Sequence, residues 1–307
     1  MLLVMRNRVR RLGYAAYERL LHREFSGAPS HVAVIQDGNR RYARKQGVET
    51  RQGHSAGAET TEELLNWCDE LGIREVTLYT FSTENFDRPD EQREYIFDLV
   101  EEKLRTFADA DRVHDAEVCI RAIGETEMLP ERVRDAIDYA EARTGQYDRL
   151  NLNVALAYGG RAELLGAARS VARSVESGEL APEDVDVDTI EDCLYEGPTR
   201  DVDLIIRTGG DERTSNFLPW HANGNEAATF FCAPYWPEFR KIDFLRAIRT
   251  YQNREDSWRT TRARRALTLV RALEDAEVPQ AKQVLGRFRD ALPSGERETV
   301  EEYDPAD

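Results

Sequence analysis

A chain of 307 residues is long enough to bury a substantial core. Its net charge of −16, with 38 Arg against 4 Lys, excludes general nucleic-acid binding through a basic surface and matches the solvated acidic composition of halophile proteins. No apolar run approaches the ~20 residues of a membrane span, and Cys68, Cys119, Cys193 and Cys232, lacking C-x-x-C spacing, read as reduced residues of a cytoplasmic protein.

Helical spacing of Met5, Val9, Leu12, Ala16 and Leu20 predicts an amphipathic helix over residues 1–25. Six arginines there against Glu18 and Glu24 leave a local charge of +4. That stripe suits either peripheral contact with the inner face of an anionic membrane or docking on the core or a subunit neighbour. After the turn SGAPS, His31–Ile35 is a β-branched run that reads as a buried strand. At its end stand Asp37, Gly38, Asn39, Arg40, Arg41 and Tyr42, opening a helix that runs to Gln46. A carboxylate, a glycine free to take any φ, and two arginines at such a turn suit an anion and its metal. Taken alone, the same residues also describe an Asx turn with solvated arginines.

Ala58–Leu71 is the next predicted helix, closed by Gly72. Val76–Phe81 is the second strand and delivers Ser82, Thr83, Glu84, Asn85, Phe86, Asp87, Arg88 and Pro89. Strand ends of open α/β sheets are where ligands sit, although an ordinary loop reads the same way. A helix from Glu91 to Ala108 carries Tyr95, Ile96, Leu99, Val100 and Leu104 as an apolar stripe for the core. Then come a strand at Val118–Ile123, a helix at Pro130–Arg143, a strand at Leu150–Ala157, a helix to Val175 and a short helix at Thr189–Tyr195.

Val202–Ile206 is the next strand, and it releases Arg207, two glycines, Arg213, Thr214 and Ser215. Two arginines six apart, with glycines between and hydroxyls after, can wrap a diphosphate with bidentate forks. Surface ion pairs with Asp211 or Glu212 are the plainer alternative. Glu226 precedes a last strand at Ala227–Cys232, the aromatic turn from Pro234 to Phe239 reads as packing, and residues from Ile242 to Leu292 read as helical. The βα alternation predicts an α/β fold with a mainly parallel central sheet covered by helices, forming one catalytic domain over 26–292 ahead of a disordered acidic tail at 293–307.

Three stretches carry a resemblance: HVAVIQDGNRRYA with GHSAG, YTFSTENFDRP, and DLIIRTGGDERTSNFLPW. In order and spacing they resemble the signatures of the cis-prenyltransferase (undecaprenyl diphosphate synthase) family, and DGNRRY is similar to its archaeal and eukaryotic members. The resemblance implies a homodimeric, Mg²⁺-dependent enzyme with a hydrophobic product tunnel. It would condense isopentenyl diphosphate onto an allylic primer, geranylgeranyl or farnesyl diphosphate, to give a long polyprenyl diphosphate for a glycosyl carrier lipid. Asp37 then matches the metal-binding aspartate, and Glu226 a second acidic metal ligand. Gly38, Asn39, Arg40, Arg41, Tyr42 and His54 match the allylic-diphosphate pocket. Ser82, Thr83, Glu84, Asn85, Phe86 and Arg88 match the second motif, where Asn85 is the family's proton acceptor; a neutral amide being a poor base, Asn85 reads as orienting a water or phosphate that takes the proton. Arg207, Arg213, Thr214 and Ser215 match the isopentenyl-diphosphate clamp.

The chain departs from the family pattern at Tyr42, where Trp is commoner, and at Glu212, in place of a histidine. Thr50 stands where the family has an arginine, leaving Arg51 as the candidate replacement. A non-catalytic scaffold subunit of a heteromeric enzyme would be expected to lose Asp37, Asn85, Arg207 and Arg213; all four are present. A phosphate-binding hydrolase would need a partnered nucleophile or a second metal cluster, and neither is legible.

Overall fold

The computed structural model describes residues 27–194, 201–222 and 227–272, without the side chains of Trp258 and residues 262–272. The expected helix over 1–25, the acidic tail, Glu226, and the part of the last helix beyond residue 272 lie outside the described residues. Residues through Ile248 form one compact unit, and Arg249–Asp307 a second, whose described part continues a long helix.

The first unit is built on a six-stranded, all-parallel sheet. Its strands are β1 (His31–Ile35), β2 (Glu75–Ser82), β3 (Val118–Ile123), β4 (Leu150–Tyr158), β5 (Leu204–Arg207) and β6 (Ala228–Phe231), in the order β3-β4-β2-β1-β5-β6. All five residues of β1 are buried, as a central parallel strand covered on both faces requires. Register places Val34 beside Leu78 on one side and Ile206 on the other, and Ile35 opposite Arg207. The chain leaves β1 toward β2 first and reaches β5 later. The strand order therefore reverses at β1, so the crevice for a ligand opens beyond the carboxyl ends of β1 and its neighbours.

The helices are α1 (Asn39–Gln46), α2 (Thr50–Leu71), α3 (Asp90–Ala108), α4 (Asp111–Asp115), α5 (Glu131–Thr144), α6 (Gly160–Glu176), α7 (Val187–Glu191) and α8 (Lys241–Ala272). Helix α4 was not expected, and two others start elsewhere than expected. Helix α7 starts earlier, because Asp186 caps it by accepting from the Thr189 N–H at 2.9 Å. Helix α2 begins eight residues ahead of Ala58, through two glycines that read as breakers. These glycines are there for packing: a Cβ on Gly53 would lie 2.4 Å from the Asn39 carbonyl oxygen, and one on Gly57 2.4 Å from Asn39 Oδ1. Bare backbone on this face lets α2 close onto α1. The aromatic turn after β6 is packing, as expected. Trp236 and Phe239 are buried, stack at 5.4 Å, and Trp236 Nε1 donates to the Gly57 carbonyl at 2.7 Å.

Candidate active site

The end of β1 is fixed from three sides before any charged group is considered. Thr208, just past β5, donates its hydroxyl to the Asp37 carbonyl at 2.7 Å, and the Trp236 N–H reaches the same oxygen at 3.0 Å. Gly38 takes φ +105, and a Cβ there would strike the Tyr235 ring at 2.7 Å, so glycine is required twice over. Helix α1 starts directly after it, with no side-chain cap on its N-terminus. Its unpartnered end offers N–H groups and a positive dipole to an anion.

The Asp37 carboxylate is shared between two guanidinium groups. Oδ1 lies 2.9 Å from Arg41 Nη2, and Oδ2 accepts from Arg207 Nη2 at 2.8 Å. Arg207 is 4 % exposed and almost fully committed: Nη1 donates to the Arg213 carbonyl at 2.7 Å and to Ser215 Oγ at 2.5 Å. Its Nη2 also reaches Asp211 at 3.3 Å, while Nε is buried without a partner. Arg41 donates to the Gly209 carbonyl at 2.9 Å, whereas the Arg213 side chain is 71 % exposed and open to a ligand. Burial pushes the Asp37 carboxyl upward, but hydrogen bonds and charge from Arg207 and Arg41 win and hold it below the usual aspartate value. Asp37 is thus ionised at neutral pH.

A cavity of about 730 Å³ opens from this cluster. It collects Asp37, Asn39, Arg40, Arg41, His54, Ser82, Glu84, Asn85, Arg88, Arg207, Arg213 and Ser215 at one end. Six arginines and Lys103 line it against three carboxylates, a cationic excess within a strongly acidic chain. Asn85 donates to Ser82 Oγ at 2.6 Å, which aims the amide of the second motif. Burial, helped by Arg88 and Arg40, drives the His54 imidazole down to about 4, so it is neutral at pH 7.

Other expected residues play supporting parts. Phe86 packs on Phe81 at 5.0 Å, Thr83 lies against Gly159, and Thr214 is exposed and accepts the Phe217 N–H at 3.1 Å. Gly38 and Tyr42 are not among the cavity-lining residues. Arg51 is turned away, its guanidinium over the Tyr95 ring at 4.7 Å, and the cations beside His54 are Arg88 and Arg40. Glu212 is exposed.

Arg44 and Tyr79 escape a reading of the sequence, and Asp211, expected there only as an ion-pair partner, does more. Arg44 reaches the cavity from one turn beyond Arg40 and Arg41, a spacing that could have flagged it. Asp211 ties Arg207, Arg213 and Arg41 together at 3.3, 3.6 and 3.9 Å. Tyr79 stacks on Phe217 at 4.4 Å and donates to the Ser215 carbonyl at 3.3 Å, holding the 211–218 loop.

The opposite part of the cavity is apolar, lined by Leu78, Ile96, Leu99, Val100, Leu104, Phe107, Ile120, Leu152 and Val154. Among the described residues no three His, Cys, Asp or Glu side chains gather as a metal cage. One ionised carboxylate beside an arginine cluster suited to phosphate fits a hard divalent cation that would take its remaining ligands from a bound phosphate and water.

Comparison with known proteins places these features in context. Residues 35–259 match the family model of undecaprenyl diphosphate synthases. A relative from Haloarcula marismortui is 80% identical over 304 residues, covering 99% of this chain and 100% of the other. One from Halobacterium salinarum is 63% identical over 303 residues, with 99% and 100% covered, and one from Methanosarcina mazei 48% identical over 257, with 82% and 86% covered. All three bear the name tritrans,polycis-undecaprenyl-diphosphate synthase (geranylgeranyl-diphosphate specific). Among solved structures, lavandulyl diphosphate synthase from Lavandula x intermedia, in complex with dimethylallyl diphosphate, superposes with a TM-score of 0.68. It is 32% identical, with 73% of this chain and 95% of that one covered.

Proposed function

The chain belongs to the undecaprenyl diphosphate synthase family of prenyltransferases, and from that premise we propose that it extends geranylgeranyl diphosphate with successive isopentenyl units into a long cis-polyprenyl diphosphate. This product would serve as the precursor of a glycosyl carrier lipid. One observation carries the reading: a cationic cluster at the sheet's carboxyl end continues into an apolar cavity, which suits a molecule with a diphosphate head and a hydrocarbon tail. The names of the halophilic relatives, specific for geranylgeranyl diphosphate, support that primer.

In this reading Arg40, Arg41, Arg44 and the N-terminus of α1 bind the allylic diphosphate, and the apolar wall takes its hydrocarbon. Arg213 and Ser215, braced by Arg207, hold isopentenyl diphosphate beside it. A bond forms between C4 of the isopentenyl unit and C1 of the primer while the C1–O bond breaks. The C2 proton of the isopentenyl unit then leaves for a phosphate oxygen or water oriented by Asn85 and Ser82. Neutral His54 accepts or donates a hydrogen bond there without adding charge. Asp37 is the residue that would hold Mg²⁺, which when bound supplies charge neutralisation to the departing diphosphate. A homodimer in the cytoplasm, with the basic segment at 1–25 as its peripheral membrane contact, belongs to the same reading. Among the described residues no helix is long and apolar enough to cross a membrane.

The test is incorporation of labelled isopentenyl diphosphate with geranylgeranyl and farnesyl primers, for the wild type and Asp37→Ala. The wild type should form long chains, EDTA should abolish them, and the variant should lose roughly 10²–10³-fold in rate. A wild type that never extends either primer with Mg²⁺ present overturns the proposal.

A further inference from the structure

Strand β4 passes into helix α6 through Gly159 and Gly160, and both glycines are buried. A Cβ on Gly159 would lie 2.7 Å from Thr83 Oγ1 and 3.4 Å from Thr83 Cγ2. Thr83 opens the short helical turn Thr83–Asp87, which carries Asn85, and as a short β-branched residue it has no flexible length to give way. Ser82, which accepts from Asn85, is the register partner of Tyr158, the residue ahead of the glycines. A Cβ on Gly160 would meet a different neighbour: it would overlap the Pro219 ring and lie 2.9 Å from the Asn216 carbonyl oxygen. Two adjacent glycines therefore let two separate loops close onto one turn.

Backbone and side chain together make the contact with the second loop. The residue ahead of α6 is a glycine, so no side chain of its own caps that helix. Instead the Gly160 N–H donates to the Asn216 carbonyl at 3.0 Å, and the Arg161 N–H donates to Asn216 Oδ1 at 3.0 Å. Asn216 thus caps a helix 55 residues away in the chain. It does so at φ +59, a conformation that asparagine adopts more readily than most side chains. Asn216 directly follows Ser215, whose hydroxyl accepts from Arg207, and Arg213 stands just upstream.

We propose that Gly159 and Gly160 are the common seat of the two loops that act on the isopentenyl unit, and that Asn216 is the positioning residue holding the clamp loop on that seat, an inference that rests on the prenyltransferase reading above. On one side the seat fixes Ser215 and Arg213 for the diphosphate. On the other it fixes Ser82 and Asn85 for the departing proton. Each glycine serves one loop, so binding and proton removal can be disturbed separately.

The experiment follows single-turnover addition of the first isopentenyl unit to geranylgeranyl diphosphate for the wild type, Asn216→Ala, Asn216→Asp and Gly159→Ala. Each substrate is titrated in turn, and melting temperatures are recorded alongside. Losing the cap in Asn216→Ala should raise the half-saturating isopentenyl diphosphate concentration about tenfold and leave that of the primer within about twofold. Asn216→Asp keeps an acceptor in the same place and should restore most of that loss. Gly159→Ala displaces Thr83, and should lower the maximal rate roughly 10- to 100-fold while isopentenyl diphosphate saturates as before. A cap that is merely structural would lower the melting temperature and leave both half-saturating concentrations where they were. That result overturns the inference while leaving the prenyltransferase reading intact. So does an equal shift for both substrates, an Asn216→Asp as weak as Asn216→Ala, or a Gly159→Ala that loses affinity instead of rate. If Gly159→Ala does not fold, the two Asn216 variants decide alone. A wild type that adds no isopentenyl unit removes both.

Discussion

At the scale of single residues, Asp37 has two partners with different claims on it. A strand-end carboxylate facing a ligand costs little stability when truncated, but this one also neutralises the buried Arg207. Asp37→Ala should therefore lose about 1–3 kcal/mol in addition to activity, readable in a denaturant titration of the variant. EDTA on the wild type separates the metal role from the structural one, because it leaves Arg207 paired. His54 gives a pH prediction. Its folded value of about 4 lies below the unperturbed 6.5, so in that window the unfolded chain binds the extra proton. Stability should fall as pH drops from 6.5 toward 4. His221, also brought down to about 4 by burial, adds to the slope. Melting temperature against pH should fall less steeply for His54→Gln than for the wild type; equal slopes would remove His54 from this account.

At the scale of elements, the loop after β5 is the strained part. Ser215, Asn216 and Leu218 all take positive φ, a conformation that costs non-glycine residues of order 1 kcal/mol or more each. What holds the loop is the Tyr79–Phe217 stack, with Tyr158 edge-on to both rings, and the Gly160 N–H donating to the Asn216 carbonyl at 3.0 Å. Phe217→Ala should cost roughly 3–5 kcal/mol. In enzyme that remains folded it should raise the KM for isopentenyl diphosphate more than that for the primer. Strands such as β1 and β3 were legible because short β-branched runs bounded by turns have few other fates. The early start of α2 was not, since Gly53 and Gly57 read locally as breakers and only the approach of α1 explains them. The site's charged motifs could be read along the chain. The long-range pairs, Asp37 with Arg207 and Asp211 with Arg41, could not, because sequence spacing carries no information on which distant neighbours a fork will meet.

At the scale of the whole molecule, a net charge of −16 makes self-repulsion a global term. Raising KCl from 0.1 to 1 M shrinks the screening length from about 10 to about 3 Å, relieving repulsion between distant carboxylates more than it weakens close pairs. The melting temperature should rise across that range; a fall would mean that ion pairs such as Arg132 with Glu94 and Asp98 matter more than the excess charge. The parallel sheet has one further consequence. All its strands end on the same side as the cationic cluster, so in the proposed reaction the diphosphate head is held at a fixed origin while the hydrocarbon lies back along the apolar residues of β4 and α3.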